Sequence, residues 1–192
     1  ILNNREIDAA VLEVAREDIV RNGLAYEKAD VAVFTNLAEG HPGEDGIDAM
    51  EELLKVKSLV IEAVKEEGTC ILNADDPWIM KVKDRAKGKV ILYSLRKDNK
   101  HAAEHLKNGG SIIHRKGGSI FFASPLSVTE IIRMEGIPTT LKGEQKHDIY
   151  NGMAAIGAAC ALGIPTEVIT KTLKTFQVTL ETGPGSFNSN LS

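Results

Sequence analysis

Short, nearly continuous apolar runs occupy residues 9–14, 31–36, 69–73 and 90–94, and polar residues close each of them. Runs of this kind fit strands covered on both faces, as in a parallel sheet, because side chains on either side of the strand meet an apolar layer. Between the runs the apolar positions fall at helical spacing. Residues 47–65 show this best. Met50, Leu53, Leu54, Val56, Leu59, Val60, Ala63 and Val64 form the apolar stripe, with Asp48 as the cap and Gly68 as the stop. Pro77, following Asp75 and Asp76, opens a second helix, since proline suits a first helical turn. This β-α-β-α-β alternation predicts a doubly wound α/β fold with a mostly parallel sheet and right-handed crossovers.

The pattern changes between about 109 and 141. Ser111, Ile112, Ile113 and His114 are separated from Ser119, Ile120, Phe121 and Phe122 by Lys116, Gly117 and Gly118, which reads as a hairpin. Residues 137–141 are expected as a further edge strand, so the stretch reads as a small β-rich insert. Two helices follow. Residues 148–162 are rich in alanine and other small residues and suit close packing on a sheet, while 165–176 are amphipathic and start at Pro165 or Thr166.

Composition narrows the class. The chain has 192 residues, 43% of them apolar and 26% charged, which is the balance of one globular domain with or without a small insert. A net charge of −4 argues against nucleic acid as the main partner, because binding a phosphate backbone usually takes a basic face. No apolar run reaches the length of a membrane span, and no leader is expected ahead of the first apolar run. Cys70 and Cys160 sit in apolar surroundings without C-x-x-C spacing, as buried free thiols in a reducing, cytoplasmic setting do. The chain starts at Ile1 and ends in a polar tail, so a fragment of a longer protein is expected.

Parallel α/β sheets hold ligands at the carboxyl ends of their strands. Polar groups gather at those ends: Glu13 and Arg16, then Asn36, Glu39 and His41, then Asn73, Asp75 and Asp76. Asp75 and Asp76 suit either helix capping or direct ligand contact. Glu13, a carboxylate closing an apolar run, is costly to bury unless it pairs with Arg16 or meets a hard cation such as Mg²⁺. His41 reads as an exposed loop residue or a ligand. His101, His105 and His114 lack convergent partners and read as surface residues.

The identity of the reaction comes from resemblance. The strings VLEVAR at 11–16, TNLAEGH at 35–41, DGID at 45–48, KVKSLV at 55–60 and LNADDP at 72–77 resemble the central domain of the Mur ligase family in order and spacing. KHDIYN at 146–151, with Ala154, Ala155, Ala158 and Ala159, resembles the family's adenine-side string H-N-x-x-N-x-x-A-A. GPGSFN at 183–188 resembles its hinge string N-P-G-R-x-[NE]. Within the family, Ala15 and Arg16, residues 41–48, and the stretch from 94 through the 109–110 glycine pair look most like the cyanophycin synthetase branch.

The resemblance implies a partial central ATP-binding domain over 1–182, with the β-rich insert at about 109–141 and the start of a hinge at 183–192. It implies ATP-dependent amide formation: a carboxylate is phosphorylated to an acyl phosphate, which an amine then attacks. The expected partners are ATP with Mg²⁺, an acidic peptide or poly-aspartate, and an amino acid such as arginine; homo-oligomerisation is left open. Glu13 and His41 match the metal positions. Lys57 matches a lysine that many relatives carbamylate, and equally suits the polar face of its helix. Asn151 and His147 match the adenine side, with Asn73 and Asp75 at the nucleotide crevice. Alternatives are another Mur-type ligase, of the folylpolyglutamate or muramyl-peptide kind, or a non-catalytic α/β binding module.

The chain also departs from the family. It contains no G-x-x-x-x-G-K-[ST] phosphate loop, so the unit that cradles the β- and γ-phosphates is expected to be missing. Gly40 stands where aspartate is usual, Asp148 replaces the first asparagine of H-N-x-x-N, Ser186 replaces the hinge arginine, and Glu17 with Asp18 replace a glycine pair. Weak nucleotide binding by the isolated chain is the expected consequence.

Overall fold

The computed structural model describes residues 6–37, 50–140 and 145–176. Six strands form one sheet in chain order: β1 Ala29–Phe34, β2 Val64–Asn73, β3 Lys89–Ser94, β4 Ser111–Lys116, β5 Ser119–Ala123 and β6 Val128–Arg133. The first four pair in parallel; β4–β5 and β5–β6 pair antiparallel. The stretch 109–141 therefore supplies three strands that continue the same sheet. At its hairpin Lys116 faces Ser119 across a two-residue turn, and Gly117 and Gly118 both have positive φ (56° and 86°). A turn of that hand matches strand twist and favours residues without a Cβ.

Period-two alternation divides the strands between two cores. Cys70 and Leu72 of β2, Leu92 of β3 and Ile112 of β4 face one side. There they meet α2 Met50–Glu62, α3 Pro77–Val82 and α4 Lys100–Lys107 through Leu53, Leu54, Ile61, Ile79, Val82 and Ala102. Ile71, Ile91, Tyr93 and Ile113 face the other side, against α5 Lys146–Ala161 and α6 Thr166–Thr175. Successive crossovers of one hand, stepping one way across a sheet, place their helices on one face. The two later helices cover the second face, which is why the strands read as unbroken apolar runs. Gly157 lets α5 approach closely: a Cβ there would lie 2.6 Å from Ile71 Cγ2.

Several expectations are corrected. Residues 9–14 form no strand. They lie ahead of α1 Arg16–Asn22, with Val11 89% exposed. A strand needs a backbone partner, and this run has none among the described residues; apolar content alone does not supply one. Residues 138–140 form a 3₁₀ turn rather than part of an edge strand, and β6 lies earlier, where Ile131 and Ile132 reach the core. Gly68 does not stop a helix. It lies inside β2, where a Cβ would meet the Asp30 carbonyl at 2.6 Å and Val64 Cγ1 at 2.7 Å, so close backbone approach explains the glycine. His105 and His114 are half-buried: the His105 ring nitrogen Nε2 lies 2.9 Å from the Val90 carbonyl, and His114 stacks on Phe121. Asp48, Leu141 and the 183–188 string lie outside the described residues.

Candidate functional site

The carboxyl ends of β1, β2 and β3 converge on a polar cluster. Asn73 ends β2 and works in two directions: its Nδ2 donates to the Thr35 carbonyl (2.9 Å) and its Oδ1 accepts from the Asp75 N–H (2.9 Å). The Tyr93 hydroxyl, at the end of β3, donates to the same Thr35 carbonyl (3.1 Å). These bonds lace the exit of β1 to the ends of β2 and β3.

Asp76 caps α3. Its Oδ1 accepts from the N–H groups of Trp78 (2.8 Å) and Ile79 (3.2 Å), two donors that a helix start leaves unpaired. Its Oδ2 accepts from the Leu37 N–H (2.7 Å), so the same carboxylate also holds the loop leaving β1.

Asp75 is a junction between the two faces of the sheet. Oδ1 accepts from Ser94 Oγ (2.7 Å) and Asn99 Nδ2 (2.8 Å). Oδ2 accepts from the Leu95 N–H (2.8 Å) and the Tyr150 hydroxyl (2.9 Å). Asn99 is itself the cap of α4: its Oδ1 accepts from the Ala102 N–H (2.9 Å), and its Nδ2 also donates to the Ala74 carbonyl (2.8 Å). Tyr150 comes from α5, on the opposite face, and its ring lies 6.3 Å from that of Tyr93. Burial, then the bond to Asp75, pushes the Tyr150 hydroxyl far above its ordinary range. Burial does the same for Tyr93, with the charges of Asp76 and Asp75 adding to it. Both phenols therefore keep their protons and act as donors.

Of the residues singled out from sequence, Asn73, Asp75 and Asp76 come together here. His147 and Asn151 lie on the first turns of α5, both exposed, four residues apart and hence neighbours on the helix surface, and they flank Tyr150. Lys57 lies half-buried on α2, which covers the other face of the sheet. Glu13 is exposed ahead of α1, and Arg16 forms an ion pair with Glu17 at 2.9 Å. His41, Glu39 and Gly40 lie outside the described residues. Among the described residues no group of three or more His, Cys, Asp or Glu side chains is placed to hold a metal ion.

Sequence reasoning missed Tyr93, Ser94, Asn99 and Tyr150. Tyr93 carried a signal, since a hydroxyl at the end of a buried run needs a partner. Asn99 carried one too, as an asparagine just ahead of a helix. Tyr150 carried none, because its partner stands 75 residues away.

The carboxyl ends of parallel strands, where this junction lies, are where α/β sheets hold their ligands. The Mur ligase middle domain family matches residues 2–159, and the chain belongs to that family. It is 37% identical over 189 residues to the cyanophycin synthetase of Geminocystis herdmanii, covering 98% of this chain and 22% of that protein. It is also 37% identical, over 192 residues, to the cyanophycin synthetase of Synechocystis sp., with the same coverage of both. The UDP-N-acetylmuramoylalanine–D-glutamate ligase of Thermoanaerobacter sp. is 30% identical over 176 residues, covering 88% of this chain and 35% of that protein. Among solved structures, MurF from Acinetobacter baumannii matches with a TM-score of 0.52 at 21% identity, over 78% of this chain and 29% of that chain, which establishes the shared fold. The chain spans about a fifth of the length of the cyanophycin synthetases it matches.

Proposed function

We propose that this chain serves within a longer ATP-dependent ligase of the cyanophycin synthetase kind, one that joins arginine to the β-carboxylates of a poly-aspartate backbone. The observation that carries the proposal is 37% identity to cyanophycin synthetases across 98% of the chain. The more distant likeness to a muramyl-peptide ligase supports the shared chemistry and leaves the substrate to be tested. The reaction is amide formation through an acyl phosphate. A substrate carboxylate attacks the γ-phosphate of ATP and releases ADP. An amine then attacks the acyl carbon, phosphate leaves, and a proton is lost from nitrogen.

In this reading the exposed first turns of α5 meet the nucleotide through Asn151 and His147. Asn73 and Asp75 hold the crevice from beneath. Both oxygens of Asp75 and of Asp76 already accept hydrogen bonds, so these carboxylates do not suit a metal ion. Glu13 does suit one, as an exposed hard-oxygen donor, with His41 as its proposed companion. Glu13 and His41 would hold Mg²⁺, whose positive charge would offset the repulsion between the γ-phosphate and the incoming carboxylate. Lys57 is proposed as the lysine that would be carbamylated to add a carboxylate near that charge. Residues 1–182 are proposed as part of the ATP-binding unit and 183–192 as the start of a hinge, in a cytoplasmic protein. No helix among the described residues is long and apolar enough to cross a membrane.

The test is ADP release by the complete gene product. Release that depends on both poly-aspartate and arginine is expected. Release with neither present overturns the ligase reading, and dependence on a muramyl peptide instead overturns the substrate. The 192 residues contain no G-x-x-x-x-G-K-[ST] string, so this chain alone is expected to bind Mg-ATP weakly. Titration calorimetry showing micromolar affinity would overturn that expectation.

A further inference from the structure

The polar junction at the strand ends adds directional hydrogen bonds to the helices' apolar packing. The core-facing side of α5 consists of Ile149, Met153, Ala154, Ile156 and Gly157, against Ile71, Ile91 and Ile113. Contacts between aliphatic surfaces hold α5 on the sheet, and Gly157 sets how closely it approaches Ile71, but they make no directional bond to the strand ends. Gln145, the residue before the helix, makes no side-chain capping bond. The Tyr150–Asp75 hydrogen bond, in contrast, is directional and involves a charged acceptor. It joins the second turn of α5 to the carboxyl end of β2. The same carboxylate holds the Leu95 N–H and the cap of α4, so the loop that carries Arg96 and Lys97 takes its position from the same group. Arg96 is near enough for its charge to oppose the rise in the Tyr150 pKa. One carboxylate thus sets two exposed surfaces against each other: the His147–Asn151 face of α5 and the cationic loop after β3.

We propose that Asp75 and Tyr150 are a positioning pair. Neither touches the nucleotide; together they fix where the first turns of α5 stand over the strand ends, and so set the affinity for ATP. This rests on the ligase reading above. Tyr150→Phe is the clean variant, since it removes one hydrogen bond and keeps the ring beside Tyr93. The measurement is steady-state ADP release by the complete gene product, wild type and Y150F, with hydrogen–deuterium exchange over residues 146–153 of both.

In Y150F the KM for ATP is expected to rise about ten- to a hundredfold, the effect of losing one bond to a charged group. The kcat at saturating ATP and the KM values for the acidic acceptor and the amine are expected to stay within about twofold, since the ordered geometry is regained once nucleotide is bound. Amides at the start of α5 are expected to exchange faster, with those of β4 and β5 unchanged. An unchanged KM for ATP, or a lower melting temperature without the selective rise in KM, overturns the proposal. If wild type shows no ADP release, the ligase reading fails by itself, and the exchange result decides the pair: unchanged exchange in Y150F overturns it.

Discussion

Replacing Asp75 with asparagine preserves shape and removes the charge at the point where β2, β3, α4 and α5 meet. Each carboxylate oxygen faces two donors, and each pair contains one donor that cannot turn. Ser94 Oγ and Asn99 Nδ2 face Oδ1, while the Leu95 N–H and the Tyr150 hydroxyl face Oδ2. The hydroxyls can rotate to accept. The Leu95 N–H is backbone, and the Asn99 amide is fixed by the Ala102 N–H and the Ala74 carbonyl. Whichever way the new amide points, its NH₂ opposes one fixed donor. One charge-assisted bond is lost, a donor is left unpaired, and the remaining bonds fall from charged to neutral strength. Together these costs come to about 2–4 kcal/mol. For a chain of 192 residues that corresponds to a fall in Tm of about 4–16 °C. Trp78 is the single tryptophan and sits in the first turn of α3, beside the Asp76 cap, so its fluorescence reports this junction directly. Urea unfolding followed by that fluorescence, checked against far-ultraviolet circular dichroism for a single transition, measures the change. Asp84→Asn is the control. Its side chain is 96% exposed, and a change within about 0.5 kcal/mol is expected there. D75N within that same margin of wild type would mean that the four bonds contribute nothing together.

Two further outcomes follow from the packing. Gly157→Ala adds a methyl group against Ile71 and Ile113; overpacking of about 1–3 kcal/mol exceeds the gain in helix propensity of about 1 kcal/mol, so the urea midpoint is expected to fall, and a rise would refute the close contact. Burial pushes the Cys70 thiol from its ordinary 9.0 up to about 11. The fold therefore favours the protonated thiol, a contribution fully present below pH 9 and lost as pH rises from 9 through about 11. Over that window the stability of wild type relative to Cys70→Ala is expected to decline by about 2–3 kcal/mol, and parallel pH profiles for the two proteins would count against it.

Much of the architecture was legible in one dimension. Strands covered on both faces read as mostly apolar runs, so 69–73 and 90–94 declared β2 and β3; 31–36 declared β1 in the same way, although β1 is an edge strand and Val33 stays 38% exposed. A helix start leaves N–H groups to be capped, so Asp76 ahead of Pro77 declared α3. The Gly117–Gly118 pair declared its hairpin through the backbone conformation it permits. These are local requirements, and local sequence carries them. The run at 9–14 meets the same apolar criterion without forming a strand, because a strand is defined by its neighbour as much as by its residues. Residues 137–141 were read as an edge strand, yet 138–140 form a 3₁₀ turn and the sheet's edge is β6.

The candidate site divides in the same way. Local sequence was enough to show polar groups gathering after β2, among them Asn73, Asp75 and Asp76. It left capping and ligand contact as equal readings for the two carboxylates, because a carboxylate's role depends on which donors reach it. Folding alone brings a serine, a backbone amide, an asparagine and a tyrosine, from elements on both faces of the sheet, onto the two oxygens of Asp75. The Tyr150–Asp75 bond closes a separation of 75 residues. No periodicity or spacing encodes such a contact, since it exists only once two apolar cores have formed and brought α5 to the ends of the strands.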